Sequence, residues 1–132
     1  MLFVWDKCLE IGNDEIDNQH KELFKRVNKL LSAMADGRGK KTIGKLIEFL
    51  TEYVAIHFNA EENLMRKRNY TDYLQHQIQH KQFTADVFHI KQVFETQGAT
   101  SDLVIQMHKK VCNWLRNHIS TEDKKFGAYL AK

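Results

Sequence analysis

The sequence contains no proline and only two cysteines among its 132 residues. Without proline, no helix is forced to kink or end for lack of a backbone N–H, so long helices are permitted. Cys8 and Cys112 cannot by themselves supply a framework of several disulfides or a metal site built from thiolates. The chain also lacks a long apolar run, and its opening Met1–Trp5 meets Asp6 well before signal-peptide length. We therefore expect a cytoplasmic protein with no cleaved leader and no membrane insertion.

An excess of charge of one sign is also missing. The chain carries 20 Lys and Arg against 17 Asp and Glu, a formal net charge of +3, and its basic clusters are short and scattered between acidic residues. This pattern argues against nucleic acid as a partner. Apolar residues make up 42% and charged residues 28%, which is typical of a single globular domain. Histidine is the unusual residue type, with seven copies.

Apolar residues recur at three- and four-residue steps in four stretches, which predicts an all-α protein. We expect helices over about residues 18–36, 40–67, 72–96 and 101–118. Connections of about four residues favour an antiparallel, up-down-up-down four-helix bundle. Residues 1–16 are expected to form an extended arm, and residues 119–132 a tail with a short helical turn, so that residues 1–132 make one domain.

Five of the seven histidines lie on the apolar stripes of these helices, where leucine or isoleucine would be expected. His57 and Glu61 are four residues apart, as are His76 and His80, so each pair shares one face of its helix. A hydrogen-bonded core histidine is the simpler explanation for any one of them, but it weakens when the cases are combined. Burying Glu61 unpaired would cost several kcal/mol, so an inward Glu61 needs a cation or a network of donors. A metal ion would supply the cation.

His20, His118 and Asp123 are the remaining candidates. In an antiparallel bundle His20, near the start of the first helix, and His118, at the end of the fourth, lie at the same end as the two pairs. Asp123 follows His118 by five residues, which turns it about 140° away on an ideal helix. Both can meet one site only if the helix ends, bends or carries a π-type bulge between Ile119 and Glu122. From spacing alone, a solvent-exposed Asp123 is the simpler interpretation.

These candidates supply five imidazoles and two carboxylates, which are too many for one metal ion and suit two. If both carboxylates and an oxo or hydroxo group bridge the ions, a metal with three histidines is six-coordinate. A metal with two histidines then keeps an open position. Nitrogen and oxygen donors without thiolate fit iron best, with manganese or zinc as alternatives, and an open position on a redox metal is where O2 would bind.

The chain resembles the hemerythrin family, specifically the single-domain bacteriohemerythrins. The resemblance is carried by Trp5, the segment 16–24, His57-Phe58-x-x-Glu61-Glu62, His76-x-x-x-His80 and Trp114-Leu115-x-x-His118-Ile119-x-x-x-Asp123-Lys124. Each piece is weak alone, and their common order is specific. The resemblance implies that His76, His80 and His118 hold a six-coordinate iron, that His20 and His57 hold a five-coordinate iron, and that Glu61 and Asp123 bridge them. Glu62 is expected to point elsewhere.

The function implied by this resemblance is reversible O2 binding at a non-heme di-iron centre with an oxo or hydroxo bridge. O2 would bind as hydroperoxide on the five-coordinate iron, and the protein would carry or store it for an oxygen-consuming partner without acting as an enzyme. We expect an O2 pocket lined by Leu23, Phe24, Phe58, Trp114, Leu115 and Ile119, residues that core packing alone would also explain. The alternatives are a di-iron oxidase, peroxidase or nitric oxide-handling enzyme, or a sensor of oxygen or iron. The absence of any Glu-x-x-His pair separates the chain from the ferritin-like di-iron enzymes.

Overall fold

A computed structural model describes residues 3–132, which form helices joined by short connections. The first three long helices are α1 (Asp14–Ala35), α2 (Lys40–Lys67) and α3 (Tyr73–Gln97). A fourth helix over residues 101–130 has five consecutive segments: α4 (Ser101–Gln106), π1 (Met107–Cys112), α5 (Asn113–His118), π2 (Ile119–Asp123) and α6 (Lys124–Leu130). The predicted all-α four-helix bundle is confirmed. Within residues 3–132, no helix combines the length and apolar content that a membrane span requires.

Two predicted boundaries are wrong. The first helix begins at Asp14 and not near residue 18, because Asn13 caps it by accepting a hydrogen bond from the Ile16 N–H at 3.0 Å. The arm is correspondingly shorter and contains a 3-10 turn at Lys7–Leu9. The fourth helix does not end at His118 but continues to Leu130, so the region expected to be a tail is helical almost throughout.

The two π segments explain how the fourth helix stays in register with the bundle. Its buried side repeats every four residues: Leu103, Met107, Val111, Leu115, Ile119, Asp123 and Gly127. On an α-helix each four-residue step overshoots a full turn by about 40°, so this stripe would wind away from the core. In the π segments the hydrogen bonds span five residues, as from the Asn113 N–H to the His108 oxygen and from the Lys124 N–H to the Ile119 oxygen. A turn of these segments therefore contains more residues than a turn of α-helix, and this difference keeps the buried stripe facing the core.

The core has two parts, and the candidate ligands lie between them. A large apolar cluster fills most of the bundle, and a smaller one contains Ile11, Ile16, Met65, Tyr70 and Phe126. Along α2 and the fourth helix, the chain passes from the large cluster through a candidate ligand to the small cluster, and along α1 it passes in the opposite direction. The polar site is therefore enclosed by apolar packing above and below.

The N-terminal arm is held to the bundle by hydrogen bonds between its backbone and two side chains of α1. The Asn28 amide both accepts from the Phe3 N–H and donates to the Phe3 carbonyl oxygen, each at 2.7 Å. Further along, the buried Asp17 carboxylate accepts from the N–H groups of Ile11 at 2.8 Å and Gly12 at 3.2 Å. These contacts hold the arm against α1.

Replacing Gly127 by alanine is expected to destabilise the protein by about 1–3 kcal/mol, as is usual when a tight contact is overpacked. A Cβ at Gly127 would overlap the Ile11 carbonyl oxygen and lie 2.8 Å from the Ile11 Cβ. Gly44→Ala is the matched control, because its Cβ would meet Phe94 at an ordinary 3.7 Å and alanine favours a helix interior. Urea unfolding of the metal-free chains measures both, and equal midpoints would contradict this account of the arm.

Candidate metal centre

The seven predicted ligands converge in one buried cluster, although they come from four helices. They are His20 on α1, His57 and Glu61 on α2, His76 and His80 on α3, His118 on α5 and Asp123 on π2. None of them is more than 6% exposed to solvent. Asp123, for which spacing alone favoured exposure, is only 1% exposed, because the π segment turns it to the same side as His118.

The cluster consists of two overlapping groups of ligand atoms, and within each group all the atoms lie within 4.8 Å of one another. One group contains Glu61, His76, His80, His118 and Asp123. The other contains His20, His57, Glu61 and Asp123. The histidines thus divide three to two, and the two carboxylates belong to both groups.

Each shared carboxylate turns one oxygen toward each group. Glu61 Oε1 lies 2.7 Å from His76 Nε2, while its Oε2 lies 3.5 Å from His57 Nε2. Asp123 Oδ1 lies 2.9 Å from His76 Nε2, while its Oδ2 lies 3.1 Å from His20 Nε2. This is the arrangement that two carboxylates need in order to bridge two metal ions.

The unpaired polar atoms of the cluster also fit a cation. Six buried side-chain nitrogen or oxygen atoms in residues 3–132 lack a hydrogen bond of good geometry, and five of them belong to this cluster. They are His20 Nδ1, His20 Nε2, Glu61 Oε2, His80 Nε2 and Asp123 Oδ1. Buried polar atoms nearly always have a hydrogen-bond partner, so several unpaired nitrogen and oxygen atoms in one place indicate that another bonding partner belongs there. The residues present therefore fit a pair of metal ions.

In the metal-free chain, protons provide the positive charge. Burial opposes protonation of His20 and His76, but the nearby carboxylates of Asp123 and Glu61 raise the pKa of His20 to about 9 and that of His76 to about 10. Burial also disfavours ionised carboxylates, yet the surrounding histidines hold the pKa of Glu61 and of Asp123 below their usual range. For His57, burial prevails and lowers the pKa to about 3. Metal ions would have to displace these protons, so metal binding should release them.

Two polar residues outside the ligand set form hydrogen bonds with its histidines, and the sequence pattern predicted neither contact. The Gln19 Oε1 accepts a hydrogen bond from His57 Nδ1 at 2.7 Å, and the Glu62 Oε2 accepts one from His80 Nδ1 at 2.8 Å. Glu62 does stay outside both ligand groups, as expected, but it faces a histidine. A signal was available, because each of the two is the immediate neighbour of a candidate ligand in the sequence.

The six residues predicted to line a pocket belong to, or pack against, the large apolar cluster. Two of them stack on histidines: Phe58 lies 3.7 Å from the His80 ring, and Trp114 lies 4.3 Å from the His118 ring. Leu23, Phe24, Leu115 and Ile119 are buried. Phe83, which was not predicted, packs against both Phe58 and Trp114, with ring centroids 5.8 and 4.3 Å apart. The histidine rings are thereby shielded by aromatic side chains.

Residues 11–130 match the family model described as the hemerythrin HHE cation binding domain. The chain belongs to the hemerythrin family. Among its relatives in this family, a bacteriohemerythrin from Methylococcus capsulatus is 34% identical over 132 positions, covering 98% of each chain. A hemerythrin-like protein from Naegleria gruberi is 33% identical over 128 residues, covering 97% of this chain and 93% of the relative. The crystal structure of a wild-type hemerythrin superposes with a TM-score of 0.85 at 30% identity, covering 100% of both chains.

Proposed function

We propose that this hemerythrin-family chain binds O2 reversibly at two iron ions held by the seven-residue cluster. The observation that carries the proposal is that Glu61 and Asp123 each turn one oxygen toward each histidine group. His76, His80 and His118 would hold one iron, and His20 and His57 the other. Glu61 and Asp123 would bridge the pair together with an oxo or hydroxo group. When bound, the irons supply the two electrons that O2 takes up and returns.

The unequal division of the histidines supports an open binding position. Both groups share the same two carboxylates, so the group with His20 and His57 offers one protein ligand fewer. Neither Cys8 nor Cys112 belongs to either group. A donor set of nitrogen and oxygen without thiolate favours iron over metals that prefer sulfur.

The surroundings of the cluster favour an O2 carrier or store over an enzyme. Among residues 3–132, Asp17 is the one buried carboxylate besides Glu61 and Asp123, and its two oxygens accept hydrogen bonds from backbone N–H groups of the arm. Glu62 is partly exposed and accepts a hydrogen bond from His80 Nδ1, on the side of that ring away from the cluster, so no further fully buried acid among the described residues would supply the proton that loss of O2 as peroxide needs. Phe58, Trp114 and the neighbouring apolar residues would exclude water, which suppresses the same loss. The carrier would act in the cytoplasm and serve an oxygen-consuming partner, without binding nucleic acid.

The test is a spectroscopic oxygenation cycle on the iron-loaded protein. With two irons per chain, the reduced protein should be colourless without O2, gain a visible absorption band in air and lose it again under vacuum over repeated cycles. His57→Ala should abolish the band, whereas His89→Ala should leave it unchanged, because His89 is exposed and outside both groups. Irreversible oxidation without the band would instead favour an oxidase or peroxidase, and a protein that binds zinc alone would overturn the di-iron assignment.

A further inference from the structure

We infer that Gln19 and Glu62 are positioning residues that make the two metal positions chemically unequal. This inference rests on the ligand assignment of the proposed function. Each residue stands beside a candidate ligand on its own helix and reaches the histidine of the next helix. Gln19 on α1 holds His57 on α2, and Glu62 on α2 holds His80 on α3.

The two contacts have the same geometry but differ in charge. In both, an oxygen accepts a hydrogen bond from the Nδ1 of a histidine, at 2.7 Å for Gln19 and 2.8 Å for Glu62. Both contacts therefore fix the ring orientation and leave Nε2 facing the cluster. The acceptor is a neutral amide on the two-histidine side and a carboxylate on the three-histidine side. His20, the other histidine of the two-histidine group, has no partner for its Nδ1 among the described residues.

A chain of hydrogen bonds holds Glu62 in place. Its second oxygen accepts from the Gln77 amide at 3.3 Å, and the same amide donates to the Tyr73 hydroxyl at 3.1 Å. Arg66 in turn donates to that hydroxyl at 2.6 Å. The Glu62 side chain is 12% exposed, so its charge acts on His80 from a largely desolvated position. Its orientation is therefore built into the interface between α2 and α3.

The charge of the acceptor changes how strongly a histidine binds a metal. A carboxylate that accepts the far N–H of an imidazole makes the other nitrogen a stronger donor, which favours the more oxidised metal. An amide acceptor has a weaker effect. We therefore expect Glu62 to favour the ferric state at the three-histidine position, while Gln19 leaves the two-histidine position easier to reduce. If O2 bound at the proposed iron pair takes one electron from each iron and returns both on leaving, an easily reduced iron at the open position would favour release.

The experiment replaces each acceptor, one at a time, by the residue found at the other position, and it needs no O2. The variants are Glu62→Gln and Gln19→Glu, and the control is Glu52→Gln, which makes the same charge change at an exposed position of α2. Zinc affinity is measured by competition with a chelator, and the reduction potentials of the iron-loaded proteins are measured under argon. Glu62→Gln should weaken zinc binding by about 10–100-fold and raise the potential of one iron. Gln19→Glu should lower the potential of the other, and Glu52→Gln should change neither quantity.

Opposite shifts in potential are the signature of the charge effect, since a merely structural role would weaken the site in both variants. The inference is overturned if both variants shift the potential in the same direction, or if neither differs from Glu52→Gln. If Glu62→Gln does not fold, Gln19→Glu still tests the inference alone, because it adds a carboxylate without removing a contact. Failure of the oxygenation cycle would refute the proposed function but leave these shifts measurable, so the two failures are distinguishable.

Discussion

Replacing Glu61 by glutamine is expected to abolish binding of the metal pair and, with it, most of the stability that metal adds. The amide keeps one oxygen that can accept from His76, but it loses the charge and the second oxygen that would bridge to the His57 side. In the parent chain, metal at a thousandfold excess over its Kd should add about 4 kcal/mol of stability. At about 4 °C per kcal/mol for a domain of this size, the Tm should rise by about 15 °C.

The measurement is the difference in Tm with and without metal for each variant, which cancels any change in the metal-free fold. Glu61→Gln should show a rise below about 5 °C and fewer than two irons per chain, while Glu52→Gln should match the parent. Circular dichroism of the metal-free variants checks that the bundle is intact. Two irons and an undiminished rise in Tm for Glu61→Gln would show that Glu61 is not a bridging ligand.

Adding one residue to the π segment is expected to be as damaging as removing a ligand, whereas deleting one is expected to be tolerated. His118 and Asp123 are five residues apart, and the π segment that separates them contains a backbone hydrogen bond spanning five residues, from the Lys124 N–H to the Ile119 oxygen. Deleting the exposed Ser120 would leave them four apart, the spacing that places two side chains on one face of an ordinary α-helix. An alanine inserted after Ser120 would turn Asp123 away from His118 by about 100°.

Iron content and the metal-induced rise in Tm separate these outcomes. The deletion variant should keep two irons per chain, and the insertion variant should bind fewer than one. An alanine inserted after the exposed Ala99, in the connection before the fourth helix, is the control and should leave binding intact. Loss of iron in the deletion variant with retention in the insertion variant would contradict the proposed role of the π segment.

The predictions that succeeded concern positions whose relation depends on a single regular helix. His57 with Glu61, and His76 with His80, share a face because four residues make nearly one turn, whatever surrounds the helix. The meeting of candidate ligands from four helices at one level of the bundle also followed from the sequence, because short connections favour an antiparallel arrangement. The all-α fold and the membership of the hemerythrin family were both predicted correctly.

The predictions that failed concern the ends of two helices. The start of α1 moved to Asp14 because Asn13 is positioned to cap it. The end of the fourth helix moved from His118 to Leu130 because π2 lets the buried stripe continue past Asp123. The sequence contains apolar residues at every fourth position from Leu103 to Ile119. This strict four-residue repeat could have indicated an underwound helix.

The bundle, the histidine pairs and the inward position of Glu61 could be predicted from sequence, because helical periodicity is a local property of the chain. The inward position of Asp123 and the contacts of Gln19 with His57 and of Glu62 with His80 became clear only from the folded chain. Those outcomes depend on how far each helix is rotated about its axis against its neighbours. That rotation is set by the packing of the whole core, which no single stretch of sequence contains.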